Sequence, residues 1–189
     1  RDHPIDEKIL ELLETDKYQR YIKAFEDMVE YIDDQRNPTG INKYCRDYAL
    51  THGHLNFKKG KRKDPITDEL IDANVVDNDN PYTSDDPEER RIIIIDNASN
   101  LSLESGLKKM ETIDKMSKYG ITLRNQMKFI FVLIQHQTQA QEGIENQKLN
   151  KLKPSSDGLA DCKTTTRDAN MVIGLYSPFK YGLREYEGY

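Results

Sequence analysis

The stretch Ile92-Ile93-Ile94-Ile95-Asp96 decides the fold class of this chain. Four consecutive β-branched residues without polar alternation predict a strand buried on both faces, which is typical of a parallel sheet covered by helices. Ligands of open α/β sheets bind at the carboxyl ends of the strands, where Asp96 lies. A carboxylate there can hold Mg²⁺ beside nucleotide phosphates. Taken alone, the motif is more often an ordinary strand end whose aspartate caps the next loop.

Two further apolar runs predict buried strands of the same kind. Residues 129–134 (Phe-Ile-Phe-Val-Leu-Ile) end at Gln135, and residues 171–176 (Met-Val-Ile-Gly-Leu-Tyr) lie near the end of the chain. A weaker candidate strand covers residues 28–32. Apolar residues at helical spacing predict helices over 42–49, 106–118 and 121–127, the last two separated at Gly120. Strands that alternate with helices favour an α/β fold with βαβ units and a mostly parallel sheet flanked by helices.

The composition limits the classes of protein to which this chain can belong. The 189 residues are 36% hydrophobic, enough for one domain with a core, and 32% charged, which predicts long exposed segments. There is no apolar run near the roughly 20 residues that span a bilayer, and no signal-peptide pattern. The net charge of −5 excludes a generic polyanion binder, so any nucleic-acid contact needs a local basic patch. Cys45 and Cys162 predict reduced thiols in a cytoplasmic protein.

The composition changes between residues 58 and 90. A basic run, Lys58-Lys59-Gly60-Lys61-Arg62-Lys63, is followed by an acidic stretch over residues 77–89 that is rich in Asn and Pro. Few of these residues can pack into a core, so the sequence predicts an extended or flexible insertion. The basic run has three interpretations: a solvated loop, a contact for phosphates, or a charged contact for a partner.

The order of these elements carries a family resemblance. A strand ending in Asp96, a helix, and a strand ending in Gln135 follow one another as in RecA-type ATPases. Residues 156–170 (Ser-Asp-Gly-Leu-Ala-Asp-Cys-Lys-Thr-Thr-Thr-Arg-Asp-Ala-Asn) then lead into the apolar run at 171–176. From about residue 90 to residue 176 the chain resembles the motor domain of DnaB-like replicative DNA helicases, and it looks closest to their divergent phage- and prophage-like members.

The resemblance implies a fold, an activity and a set of roles. The fold would be an incomplete RecA-like domain over residues 1–189, and the full protein would be a hexameric helicase that hydrolyses ATP to unwind DNA in replication. Asp96 would be the Walker B carboxylate that organises Mg²⁺ beside ATP, and Gln135 would be the nucleotide sensor. Residues 136–153 would form a loop facing single-stranded DNA in the ring channel, with primase or other replication proteins as partners. Three lysines of that loop would contact DNA phosphates: Lys148, Lys151 and Lys153.

The chain also departs from the family pattern. No G-x-x-x-x-G-K-[ST] phosphate-binding loop occurs in the 189 residues, so this chain alone is predicted not to hydrolyse ATP. Ala160 and Ile134 stand where the family has arginine and serine. Because residues 5–13 already form a helical pattern behind Arg1, we expect the chain to begin within a longer protein. Two alternatives stay open: another RecA-superfamily ATPase, or a non-enzymatic RecA-like module that binds DNA or a partner.

Overall fold

The structure is a computed structural model that describes residues 7–138, 140, 143–148 and 153–182. It is a mixed α/β structure. The helices are α1 (Glu7–Leu13), α2 (Asp16–Met28), α3 (Pro38–Thr51), α4 (Lys109–Met127), α5 (Ile144–Lys148) and α6 (Thr165–Asp168). The strands are β1 (Gly53–Leu55), β2 (Phe57–Lys63), β3 (Leu70–Val76), β4 (Tyr82–Ser84), β5 (Ile92–Ile95) and β6 (Ile130–Leu133). Short 3-10 helices cover Ala98–Asn100, Ser156–Gly158 and Pro178–Tyr181.

The chain divides into two compact units, Arg1–Asp34 and Gln35–Tyr189. In the first unit, α1 and α2 contain no buried residue. The second unit holds α3 and all elements after it, including the candidate site. No helix within the described ranges is both long and apolar enough to cross a membrane.

Helix α4 is the centre of the second unit. One core cluster joins it to α3 and β4: Cys45, Ala49, Tyr82, Leu123, Met127 and Phe129. A second cluster joins it to the end of β5: Ile95, Ala98, Leu101, Ile113, Met116 and Cys162. The helix runs through Gly120, so the predicted break there is wrong. Gly120 lies against the ring of Phe131, where a Cβ would collide, and close packing rather than a helix end explains this glycine.

Strands β5 and β6 form the predicted parallel pair. Ile92 pairs with Ile130 and Ile95 with Leu133, and α4 is the crossover between them. One face packs against α4, whereas Ile94 on the other face is 62% exposed. The prediction that these strands are buried on both faces is therefore wrong for the described part of the chain.

Residues 171–176 do not form the predicted third strand, and no described strand forms a β-ladder with them. Their apolar side chains face solvent, as Leu175 shows with 89% exposure. A strand needs a neighbour for its backbone N–H and C=O groups, and apolar composition alone does not supply one. The weaker candidate at 28–32 is not a strand either, because α2 extends to Met28 and no regular structure follows it.

The region predicted as an extended or flexible insertion contains an antiparallel hairpin. β2 pairs with β3 from Phe57–Val76 to Lys63–Leu70, and β1 pairs with β4. Asn56 joins the two ladders, since its N–H donates to the carbonyl of Pro81 and its own carbonyl accepts from the N–H of Asp77. Residues 53–84 are called the arm below. Between residues 53 and 80 of the arm no side chain is buried.

Candidate functional site

The parallel register brings Asp96 and Gln135 to one edge of the β5–β6 pair. The pairing continues past the strands, because the N–H of Ile134 donates to the carbonyl of Ile95 at 3.0 Å and the N–H of Ala98 donates to the carbonyl of Ile134 at 2.8 Å. This edge is formed by the carboxyl ends of parallel strands, where open α/β sheets bind their ligands. The two residues predicted to be catalytic thus follow neighbouring strands.

Asp96 offers a free carboxylate at this edge. Its side chain is exposed and forms no hydrogen bond or ion pair with a described residue. The described residues hold no cluster of three or more His, Cys, Asp or Glu side chains that could bind a metal ion. A divalent cation at Asp96 would therefore take its other ligands from water and from a bound phosphate, as Mg²⁺ does in nucleotide sites.

The amide of Gln135 is engaged by the segment that follows the predicted DNA-facing loop. Its Nε2 donates to the carbonyls of Ala160 and Cys162, the latter at 2.7 Å. Its Oε1 accepts from the Oγ1 of Thr165 at 2.9 Å. Both donor hydrogens and the acceptor oxygen of the amide are used, so a direct contact with a phosphate would require one of these bonds to open.

A second link between the strand ends was not predicted from the sequence. The Oδ1 of Asn97 accepts from the N–H of Ser99 at 2.9 Å, and its Nδ2 lies 2.9 Å from the Nε2 of His136. Because Oδ1 faces a backbone donor, Nδ2 is assigned as the donor towards His136 and Nε2 as the acceptor. The His136 ring thereby ties the end of β6 to the turn that carries Asp96. In the sequence, the only sign of this link between Asn97 and His136 is that His136 directly follows Gln135.

The segment after the predicted loop closes back on the end of β6. Gln137 forms an antiparallel bridge with Leu159, and the N–H of Ala160 donates to the carbonyl of His136 at 2.9 Å. The carboxylate of Asp161 accepts from Ser99 Oγ at 2.7 Å, which adds a bond to the turn after Asp96. The predicted DNA-facing loop is therefore closed at its base, directly beside the candidate site.

The structure places the three predicted DNA-binding lysines only in part. Lys148 ends α5, but its side chain lies outside the described residues. Lys151 also lies outside them, and Lys153 is exposed. The phosphate contacts proposed for this loop stay a prediction.

A buried arginine that the sequence analysis did not single out joins the arm to β5. Arg91 donates from Nη1 to the hydroxyl of Tyr82 at 2.7 Å and from Nη2 to Ser84 Oγ at 3.0 Å, and it forms an ion pair with Glu89. Its guanidinium also lies over three aromatic rings, those of Tyr48, Tyr82 and Phe129, at 5.1 to 5.8 Å. The hydrogen bond from Arg91 lowers the pKa of the Glu89 carboxyl. This cluster fixes the base of the arm beside the strand that leads to Asp96.

Comparison with protein-family models, curated proteins and solved structures gave no match for this chain. What can be inferred about the site therefore depends on its own geometry and on the order of the motifs. These define a mixed α/β unit with a polar edge at the carboxyl ends of two parallel strands.

Proposed function

We propose that the second unit is the Walker B and sensor part of a RecA-type ATPase motor in a DnaB-like DNA helicase. The observation that carries the proposal is the placement of Asp96 and Gln135 after adjacent parallel strands joined by α4. Asp96 in addition keeps its carboxylate free of protein partners at the edge where such folds bind nucleotides.

The residues present fit one half of a site for ATP and Mg²⁺. Asp96 would hold the cation, directly or through water, and would keep it beside the phosphates. When bound, MgATP supplies the phosphoryl group whose hydrolysis drives the motor. The sequence of this chain contains no glycine-rich loop with a lysine to cradle the phosphates, so in this proposal another part of the full protein provides it.

Gln135 has a coupling role in this proposal. Its amide binds Ala160, Cys162 and Thr165, all in the segment that closes the predicted DNA-facing loop. A phosphate that competes for this amide would loosen that segment, and its release would restore the bonds. In this proposal, Gln135 relays the nucleotide state from the strand edge to the loop.

The uncovered parts of the sheet support a larger motor domain. Strands of parallel sheets are usually covered on both faces, yet Ile92 and Ile94 are exposed here. The apolar side chains of residues 171–175 are also exposed, and these residues belong to no described strand. Additional strands and helices of a complete RecA-like domain would cover both surfaces.

The proposal is tested by ATP hydrolysis in the full-length natural protein. The variant Asp96→Asn is expected to lower DNA-stimulated turnover by about 100-fold or more, as is typical when a group that stabilises transition-state charge is removed. Asp47→Asn is the matched control, because Asp47 is exposed on α3 and its carboxylate has no described partner. Turnover that survives Asp96→Asn, or that falls equally in the control, would refute the assignment.

Unwinding of a forked duplex separates this function from the alternatives. Another RecA-superfamily ATPase would hydrolyse ATP without unwinding, and a non-enzymatic module would bind DNA or a partner without hydrolysis. The 189-residue chain alone is expected to show no ATP turnover, and measurable turnover by it would contradict the division of the site proposed above.

A further inference from the structure

The arm is a well-anchored hairpin that reaches away from the core. An isolated two-stranded hairpin is marginal in water and needs support from elsewhere. Here the support lies at the base, where the hydroxyl of Tyr82 lies 2.8 Å from the carbonyl oxygen of Ala49 and 3.0 Å from that of His52, and its single proton is shared between them. Arg91 adds a hydrogen bond to the same hydroxyl. The outer ladder, β2 with β3, contributes no buried side chain, so packing against the rest of this chain does not explain it.

One face of the outer ladder presents cations to solvent. Side chains alternate along a strand, so Lys59, Lys61 and Lys63 share a face, and all three are exposed. The opposite face is partly covered by the contact between Gly60 and Val75. The lysines therefore lie at every second residue along one regular, solvent-facing face of the ladder.

Most of the acidic side chains of the arm are occupied within it. The arm contains five Lys or Arg and six Asp or Glu residues. Asp64 accepts from two backbone N–H groups of the turn, and Asp68 pairs with Lys63. Two further aspartates, Asp77 and Asp79, pair with Lys58.

The cations in the middle of the ladder are not paired in this way. Lys59, Lys61 and Arg62 form no hydrogen bond or ion pair with a described residue. Two acidic side chains of the arm, Glu69 and Asp72, form no hydrogen bond or ion pair with a described residue, and the register places Asp72 opposite Lys61. The middle of the ladder is therefore locally cationic although the whole chain carries a net charge of −5.

The tip of the arm adds an apolar side chain. Ile66 follows Pro65 in the turn between β2 and β3, and it is 92% exposed. An apolar side chain that enters the major groove can contact the methyl group of thymine. A two-stranded ribbon also fits the major groove, which is about 12 Å wide.

We propose that the arm is a DNA-binding ribbon for duplex DNA. Lys59 and Lys61 contact the backbone phosphates from one face of the ladder and Arg62 from the other, and Ile66 contacts the bases at the tip. This site is separate from the loop after β6, to which the helicase proposal assigns single-stranded DNA. Binding by the arm needs no nucleotide, so it can be tested whether or not the protein hydrolyses ATP.

The competing interpretation is that the lysines only prevent aggregation. Lysine on an exposed strand discourages pairing with other chains through the free strand edge. In that case removing the lysines would cause self-association and would leave the affinity for DNA unchanged. The two interpretations therefore predict different results for the same variant.

The test is the fluorescence anisotropy of a labelled duplex, titrated with the full chain at several salt concentrations. Lys59→Gln/Lys61→Gln is expected to raise Kd by about tenfold and to reduce the slope of log K against log salt by roughly 2, because two phosphate contacts are lost. The control is Lys17→Gln/Lys43→Gln, which removes two exposed lysines without a described side-chain partner and is expected to change Kd less than about twofold.

Two further variants make the result specific. Lys59→Arg/Lys61→Arg keeps the charge and is expected to keep wild-type affinity, which also shows that the ladder tolerates substitution. Ile66→Ser is expected to raise Kd several-fold without changing the salt slope, because it removes no charge. Wild-type affinity in Lys59→Gln/Lys61→Gln, or an equal loss in the control, would overturn the proposal. So would unchanged duplex affinity accompanied by loss of binding to poly-glutamate, which would assign the arm to an acidic protein partner.

Discussion

The β5–β6 pair and the arm are both built from two strands, but they differ in burial. The 19-residue helix α4 connects β5 to β6 and covers one of their faces. β2 and β3 are joined by a short turn that covers neither face. The connection thus decides which pair becomes core and which stays in water. An edge that carries the exposed carboxylate of Asp96 forms on the first pair, and a cationic face forms on the second.

The two regions meet at Arg91, and removing it has the largest expected effect on stability. Arg91→Met leaves Glu89 without its cation and the hydroxyl of Tyr82 without a donor, in a largely buried place. Breaking a buried ion pair from one side costs about 3–5 kcal/mol. Urea unfolding should show this loss. The exposed neighbour Arg90, changed to Met, should stay within about 0.5 kcal/mol of wild type. Equal losses in both variants would mean that the arm is not fixed by this cluster.

Substitutions on β5 should have the next largest effect on stability, and the effect should differ between the two faces of the strand. Ile95 is 9% exposed and packs in the cluster with α4, whereas Ile94 is 62% exposed. Ile95→Ala should lower the free energy of unfolding by about 3 kcal/mol, and Ile94→Ala by less than about 0.5 kcal/mol. Unfolding curves of the 189-residue chain provide the measurement. A large loss from Ile94→Ala would show that the outer face is covered in solution, for instance by a second copy.

Much of the first region could be predicted from the sequence. An unbroken run of isoleucines is typical of a strand, and the helical pattern before Phe131 predicted the crossover. The same rules failed at residues 171–176, because composition reports what a segment prefers and not whether a neighbouring strand is present. They failed in a similar way for the outer face of β5, since sequence alone does not show what covers a strand.

The second region was not recognised as a hairpin, for a physical reason. Lys58 to Lys63 lack the apolar alternation that identifies half-buried strands, since both faces of this ladder remain in contact with water. What stabilises the arm is remote in sequence, at Arg91 and Tyr82. In the candidate site, Asp96 and Gln135 could be predicted from strand ends. The link between Asn97 and His136 could not, because it depends on the parallel register.

The ion pair at the base of the arm should give stability a pH dependence. Arg91 lowers the pKa of Glu89, so the folded state binds the proton of this carboxyl more weakly than the unfolded state. Its contribution is fully present above about pH 4.3, the ordinary pKa of glutamate, and is lost as pH falls through the lower folded value. Glu89→Gln should therefore cost about 1–2 kcal/mol at pH 7, less than Arg91→Met because Glu89 is partly solvated.

The same comparison at acidic pH provides the control. The unfolding midpoints of wild type and Glu89→Gln should approach each other as pH falls below about 4.3, the ordinary pKa of glutamate, and should converge once pH is below the lowered pKa of folded Glu89, where both side chains are uncharged. A gap that persists unchanged at acidic pH would show that Glu89 acts through packing or neutral hydrogen bonds rather than through its charge.

The smallest effect is expected for an ion pair on the arm itself. Lys58 bonds Asp77 at 2.8 Å and Asp79 at 3.0 Å, which raises the pKa of Lys58 and lowers that of Asp77. These groups are solvated, so water and salt screen their attraction and Lys58→Gln should leave the urea midpoint unchanged within repeat error. A shift as large as that of Glu89→Gln would mean that the outer ladder depends on its own charges. The arm would then be stabilised along its length rather than at its base. Charge, rather than the segment that connects the strands, would explain how the arm differs from the packed β5–β6 pair.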